Sequence, residues 1–214
     1  MIEIITPDRY PEYESQLVEL YRLRCEIFKE RLGWDVSTRN GLEYDFYDSL
    51  KPTYFVRLDD DRHVIGTVRI LPTTGPCLIP DVFASLLGDV DFPNDPCVWE
   101  ATRLAVALGS NATQSLASVG EVTRQLYAAL AEHGLASGIK QYFTVYDPIV
   151  SRFVRRIGCP PDWESQPQQF GQSAAMLAAF KVTTAALNNI RSAGDISGSV
   201  VARAPWRGLR KEAA

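Results

Sequence analysis

Hydrophobic positions fall into a helix-period stripe early in the chain and strand-period runs through its middle. Leu17, Leu20, Tyr21, Ile27, Phe28 and Leu32 recur at three- and four-residue spacings and stop at Gly33, which predicts a helix opening at Pro11 and running to about Leu32. Ile2 to Ile5 reads as a short strand before it. Residues 36–51 are polar and irregular, yet they carry Tyr44, Phe46 and Tyr47, so this loop is expected to pack on the body of the protein. Two β-rich runs, 53–58 and 63–71, flank Asp59-Asp60-Asp61-Arg62 and predict a hairpin. A short helical turn over 81–87 and an interior strand over 98–106 follow.

The next helix has Val119, Val122, Leu126, Ala129 and Leu130 as its stripe and Gly134 as its stop, and leads into a strand over 141–146. Asp147 and Pro148 are the residue types of a helix N-cap and first position, with Gly158 as the end. A last strand over 173–181 and a helix over 183–191 complete one domain, residues 1–193. The segment 194–214, rich in small residues and arginine, is expected to fray. This order predicts an α/β sandwich with a mixed central sheet.

Several charges interrupt the apolar pattern. Arg24 lies on the apolar face of the first helix, alternation places Arg69 with Ile65 and Thr67, and Glu100 and Arg103 sit inside an interior strand. A buried guanidinium costs several kcal/mol unless carboxylates meet it. The segment Glu43-Tyr44-Asp45-Phe46-Tyr47-Asp48 supplies acids, and the expected balance is Arg24, Arg69 and Arg103 against Asp45, Asp48 and Glu100. The odd spacing of Glu100 and Arg103 requires either a bulge that re-aims one of them or a different partner for each. A balanced cluster of this kind is either purely architectural or a pocket for a zwitterionic ligand.

Composition narrows the chemistry. A net charge of −4 over 214 residues argues against non-specific nucleic-acid binding. No stretch approaches the roughly 20 apolar residues of a membrane helix, and the N-terminal residues lack signal-peptide character, so a cytoplasmic protein with no membrane partner is expected. The four cysteines show no C-x-x-C spacing, and His63 and His133 lie near neither another histidine nor a cysteine ligand pair, so no metal site is expected and carboxylates are left to do any acid–base work.

The ordered motifs Arg24-x3-Phe28-x5-Trp34, Glu43-x-Asp45-x2-Asp48, Gly66-Thr67-Val68-Arg69-Ile70-Leu71-Pro72, Phe83 and Trp99-Glu100-x2-Arg103 resemble the LuxI-type acyl-homoserine-lactone synthases. The resemblance covers about half the chain. It implies a GNAT-like α/β/α sandwich with a mostly antiparallel central sheet, and a quorum-sensing enzyme without cofactors. Its substrates would be S-adenosylmethionine and an acyl thioester carried by acyl carrier protein or CoA. The amine of S-adenosylmethionine is acylated, its carboxylate then closes the lactone, and methylthioadenosine leaves.

Carried over by position, Glu100 is the candidate base, Asp45 holds the ammonium and Arg69 or Arg103 the carboxylate. Phe28 and Trp34 face the sulfonium. Arg24 and Asp48 organise the loop, and Phe83 belongs to the core or to the pocket. Leu104, standing where many members have an aromatic residue, together with Thr144 and Tyr146, would line the acyl chain. Arg152, Arg155 and Arg156, spaced on one helix, would receive the carrier. Two alternatives stay open: an acetyl-CoA-dependent GNAT N-acetyltransferase and a non-catalytic ligand-binding protein. The former usually carries an Arg/Gln-x-x-Gly-x-Gly/Ala loop, and Leu108 to Thr113 does not contain it.

Overall fold

The structure, a computed structural model, describes residues 1–108, 112–170 and 173–202, with 112–118 described by their backbone alone. Among these residues, eight strands form one sheet in the order β1 (Ile2–Ile5), β4 (Thr53–Leu58), β5 (Val64–Pro72), β6 (Val98–Val106), β7 (Gln141–Tyr146), β10 (Ser173–Lys181) and β8 (Trp163–Glu164), with β9 (Gln168–Phe170) also paired to β10. Every pairing is antiparallel except β6 with β7. One face is covered by α4 (Ala112–Ser137), α5 (Pro148–Arg156) and α6 (Thr184–Ala193), and the other by α1 (Glu14–Arg24) and α3 (Leu78–Val82). The mixed, mostly antiparallel α/β/α sandwich expected from the sequence is what forms.

Some boundaries moved for identifiable reasons. The first helix begins at Glu14 after a 3₁₀ segment over Pro7–Glu12, and from Cys25 to Arg31 it continues as a π-helix. There the Leu32 amide donates to the Ile27 carbonyl, five residues back, at 3.0 Å. The irregular loop holds two short paired strands, β2 (Thr38–Arg39) and β3 (Leu42–Glu43), and a one-turn helix, α2 (Phe46–Ser49), closed by reciprocal bonds between Asp45 and Asp48. Gly134 does not stop α4, which runs on to Ser137 and ends beside Gly138, φ +77°. The tail expected to fray is held as far as Ala202: the Ile2 amide donates to the Val200 carbonyl and the Ala202 amide to the Ile2 carbonyl, both at 2.8 Å. Residues 203–214 lie outside the described part.

Two irregularities in the sheet create the site. First, β6 and β7 pair only through Val98–Glu100 and Gln141–Phe143, so beyond Glu100 the two parallel strands diverge. Second, the register of β5 against β6 shifts between Thr67↔Ala105 and Arg69↔Thr102, leaving one extra residue in β6. That residue is in the region of Arg103, whose φ of +58° costs on the order of 1–2 kcal/mol in a non-glycine residue. Arg69 shares its face with Thr67 as expected, but Ile65 packs on the α4 side, because a second register shift lies between Arg57 and Leu58.

The turn after α5 depends on Gly158, φ +76°, where a Cβ would also lie 2.9 Å from Asn189 Cβ on α6. Gly158→Ala should therefore lower the unfolding free energy by about 1–3 kcal/mol in a denaturant titration.

Candidate active site

The divergence and the bulge place charge on the α1 side of the sheet. Arg24 reaches it from the last residue of α1, Arg69 from β5, and Arg103 from the bulge, which turns its side chain to the same face as Glu100 and Thr102. Glu43 and Asp45 stand two apart on extended chain and so point the same way, and Asp48 follows on α2.

Asp48 grips Arg24 with both oxygens, Nη1 to Oδ1 at 2.8 Å and Nη2 to Oδ2 at 2.9 Å. Glu43 accepts from Arg24 Nε and, at 3.1 Å, from Arg103 Nε. Asp45 accepts from Arg69 Nη1 at 2.5 Å and from Arg103 Nη2 at 2.9 Å. Asp48 Oδ1 also accepts from Arg69 Nη1 at 2.9 Å and from the Tyr54 hydroxyl at 2.6 Å.

The third acid is thus Glu43, fully buried, and not Glu100, which meets no arginine within 4.0 Å. The carboxylate of Glu100 instead accepts from the amides of Leu78, at 3.2 Å, and Ile79, at 2.6 Å, and lies 3.4 Å from the Thr102 hydroxyl. Sequence reasoning quoted Glu43 but left it out of the charge balance. Its alternation with Asp45 was the available signal. Tyr54 and Thr102 were missed as well; Tyr54 sits directly across from Arg69 in the strand pairing.

The environments differ in ways that matter chemically. Burial alone would raise the pKa of Asp48, but the hydrogen bonds and charge of Arg24, with Arg69, outweigh it and hold the carboxyl far below its usual range. Its contribution to stability is present in full at neutral pH and is lost progressively as pH falls from the ordinary carboxylate range towards that depressed value. For Glu100 burial dominates, and despite the Ile79 and Leu78 amides and the charge of Arg69 its pKa is raised. Arg24 stays firmly charged because Asp48 and Glu43 overcome desolvation. Arg103 is pushed down by burial and by the charges of Arg69 and Arg24, against the pull of Glu43 and Asp45. The side chains of Asp45 and Arg103, 11% and 6% exposed, form the cluster's accessible rim, whereas Arg24, Arg69, Glu43 and Asp48 are at 1% or less.

Aromatic rings wall this rim. The Arg103 guanidinium lies 5.3 Å from the centre of Phe28, Phe28 and Trp34 are 5.4 Å apart, and Trp34 is 5.9 Å from Phe83. Phe83 packs in turn on Phe170, with ring centres 4.9 Å apart, and is buried among apolar side chains, the core arrangement.

On the opposite face of the sheet a cavity of about 40 Å³ opens where β6 and β7 part. Leu104 and Thr144 line it, with Tyr127, Leu130 and Ala131 of α4, and Phe180 of β10. Tyr146 does not line it: its hydroxyl donates to Glu164 at 2.7 Å and its ring leans on Phe180 at 6.2 Å. On α5, Arg152, Arg155 and Arg156 are all exposed, but they do not act as one patch. Arg155 is drawn to Glu164, leaving Arg152 and Arg156 on a face shared with Ile149, which is 75% exposed. Of the stretch Leu108 to Thr113, residues 109–111 lie outside the described part.

Comparison with known proteins gives a single direction. The family model described as autoinducer synthase matches residues 8–190. An acyl-homoserine-lactone synthase of Aliivibrio fischeri is 40% identical over 138 residues, 64% of this chain and 70% of that protein. One from Agrobacterium fabrum is 30% identical over 186 residues, 87% of this chain and 88% of that one. Among solved structures, that of a CoA-dependent acyl-homoserine lactone synthase, BjaI, with SAM and isopentyl-CoA, superposes with a TM-score of 0.81 at 27% identity, covering 94% of this chain and 92% of that chain. These likenesses favour lactone synthesis over the acetyltransferase and non-catalytic alternatives. With a family match spanning most of its length, the chain belongs to the autoinducer synthase family, the enzymes that make acyl-homoserine lactones.

Proposed function

We propose that this chain joins S-adenosylmethionine to an acyl thioester across the divergence of β6 and β7, with the amino-acid end of S-adenosylmethionine at the rim formed by Asp45 and Arg103. The observation that carries this reading is that rim: an acid and an arginine side by side, the more accessible members of an otherwise sealed, neutral cluster. A carboxylate has lone pairs to spare beyond its two arginine bonds, so Asp45 can accept the substrate ammonium. Arg103, the guanidinium least compensated within the cluster, gains most from a substrate carboxylate. Phe28 already gives Arg103 a ring face, so the sulfonium contact falls to Trp34.

Glu100 takes the ammonium proton before the amine attacks the thioester carbonyl and the thiol leaves. Its backbone bonds fix it in place, and its raised pKa suits a base working near neutral pH. The Thr102 side of its carboxyl is where a water would connect it to the amine. The substrate carboxylate then displaces methylthioadenosine, a step that needs a folded substrate and no further proton acceptor. This reading keeps the cytoplasmic location expected from sequence.

The donor's carrier meets the face of α5 that carries Arg152 and Arg156. Likeness to a CoA-dependent synthase favours CoA. Exposed Ile149 on the same face favours a protein carrier, because phosphates make no use of an apolar side chain.

Three measurements test these roles. Arg24→Leu, which strands buried Glu43 and Asp48, should cost about 3–5 kcal/mol of stability, whereas Asp45→Asn, at the accessible rim and with an oxygen still able to accept from the Asp48 amide, should cost less stability and raise KM for S-adenosylmethionine about tenfold or more. The reverse pattern would exchange their roles. In a pH–rate profile with methylthioadenosine as the readout, activity should rise with pH as Glu100 loses its proton, and the midpoint should lie above an ordinary glutamate. Glu100→Gln should abolish that limb and lower kcat with KM for S-adenosylmethionine within a few-fold; a retained limb, or build-up of open-chain acylated intermediate, would refute the assignment. Finally, Arg152→Glu/Arg156→Glu assayed with matched acyl carriers at two salt concentrations should lower kcat/KM about tenfold for the true donor only. No change for either carrier would remove α5 from the docking face.

A further inference from the structure

Gly134 lies inside α4, where glycine costs helix stability relative to alanine, and its φ lies outside the left-handed region that would call for glycine. What a side chain there would meet gives the reason. A Cβ at 134 would lie 2.9 and 3.1 Å from the two γ-methyls of Val182 and 3.3 Å from Cε2 of Tyr142. Real Cβ atoms essentially never come as close as the first of these distances. Val182 and Tyr142 line the same cavity as Leu104 and Thr144, at the other end of its run. Glycine at 134 therefore lets the wall of that cavity sit against the helix backbone.

We infer that the acyl chain runs along α4 from the parting of β6 and β7 towards Val182 and Tyr142, and that Gly134, by letting these two side chains lie against the helix, sets the length of acyl group accepted. This rests on reading the cavity as the acyl site. From Tyr127 to Gly134 the helix advances about 10 Å, a run comparable to a medium-length acyl chain laid along it, and the cavity of about 40 Å³ has to widen to take such a chain in.

The chemistry of the lining fits a chain with an unfunctionalised end. The Tyr142 hydroxyl is occupied by the Leu130 carbonyl at 3.2 Å, so it presents its ring to the cavity. The Lys181 ammonium is held 3.2 Å from Asp162, leaving its stem on the lining. Any oxygen on the acyl group belongs near Thr144, at the cleft end.

The test uses the purified full-length enzyme, S-adenosylmethionine and an equimolar mixture of straight-chain acyl thioesters from butanoyl to tetradecanoyl on the carrier that supports turnover. Products are resolved by mass spectrometry and total methylthioadenosine is measured. Val182→Ala should raise the ratio of longer to shorter lactones about tenfold, with KM for S-adenosylmethionine unchanged. Gly134→Ala, which drives Val182 off the helix into the cavity, should shift products towards shorter chains. The double variant should return towards the wild-type distribution. A purely structural role for Gly134 would lower the melting temperature and leave these ratios alone. Unaltered ratios in Val182→Ala, a mild truncation that should fold, would overturn the inference whether or not Gly134→Ala folds. Wild-type enzyme that forms no methylthioadenosine with any donor would instead defeat the functional reading itself, and this inference with it.

Discussion

Three guanidiniums removed from water by one face of a sheet set the terms for everything around them. Left alone, each would cost several kcal/mol; matched with Glu43, Asp45 and Asp48 they become a neutral lattice whose breakage is far more expensive than its net worth. That asymmetry explains why so much local structure serves the cluster. The one-turn α2 exists through the reciprocal Asp45–Asp48 bonds, and the Tyr54 hydroxyl is committed to Asp48. The strained backbone at Arg103 is tolerated because the alternative is a charge on the wrong face.

The fold was legible wherever a period was clean. Strands 98–106, 141–146 and 173–181 fell where alternation and apolar runs put them, and the Asp147-Pro148 start of α5 followed from the chemistry of helix ends. Gly134 misled because a glycine near the end of an apolar stripe signals termination, whereas here it answers to a neighbour 48 residues away in sequence, Val182. The π-helical turn at Cys25–Arg31 left no trace in spacing. For the site, the arginines were found because charge on an apolar face is costly and therefore informative. Glu43 was overlooked, and Glu100 was counted against the arginines in its place, because sequence shows which charges need partners without showing which partner the fold brings near.

Polar and apolar surroundings are divided between the two faces of the sheet. The arginine cluster lies under α1, and the cavity lies under α4 and α6. Between them, β6 and β7 hold together for only three residue pairs before parting. Under the proposed reading, a water-avoiding chain and a zwitterion approach one carbonyl from opposite sides, neither crossing ground suited to the other.

Every charge of the cluster lies between Arg24 and Arg103, while the cavity also needs Thr144, Phe180 and Val182. During synthesis the ribosome therefore delivers all of the ion-pairing partners before β7 has emerged. The buried arginines can be neutralised by Glu43, Asp45 and Asp48 while the chain is still growing, without waiting for the second half. The greasy compartment has no such head start: its walls come from both halves, so the surface that must be hidden from water is completed last, and the nascent chain carries that exposure, not an unpaired charge, as its hazard.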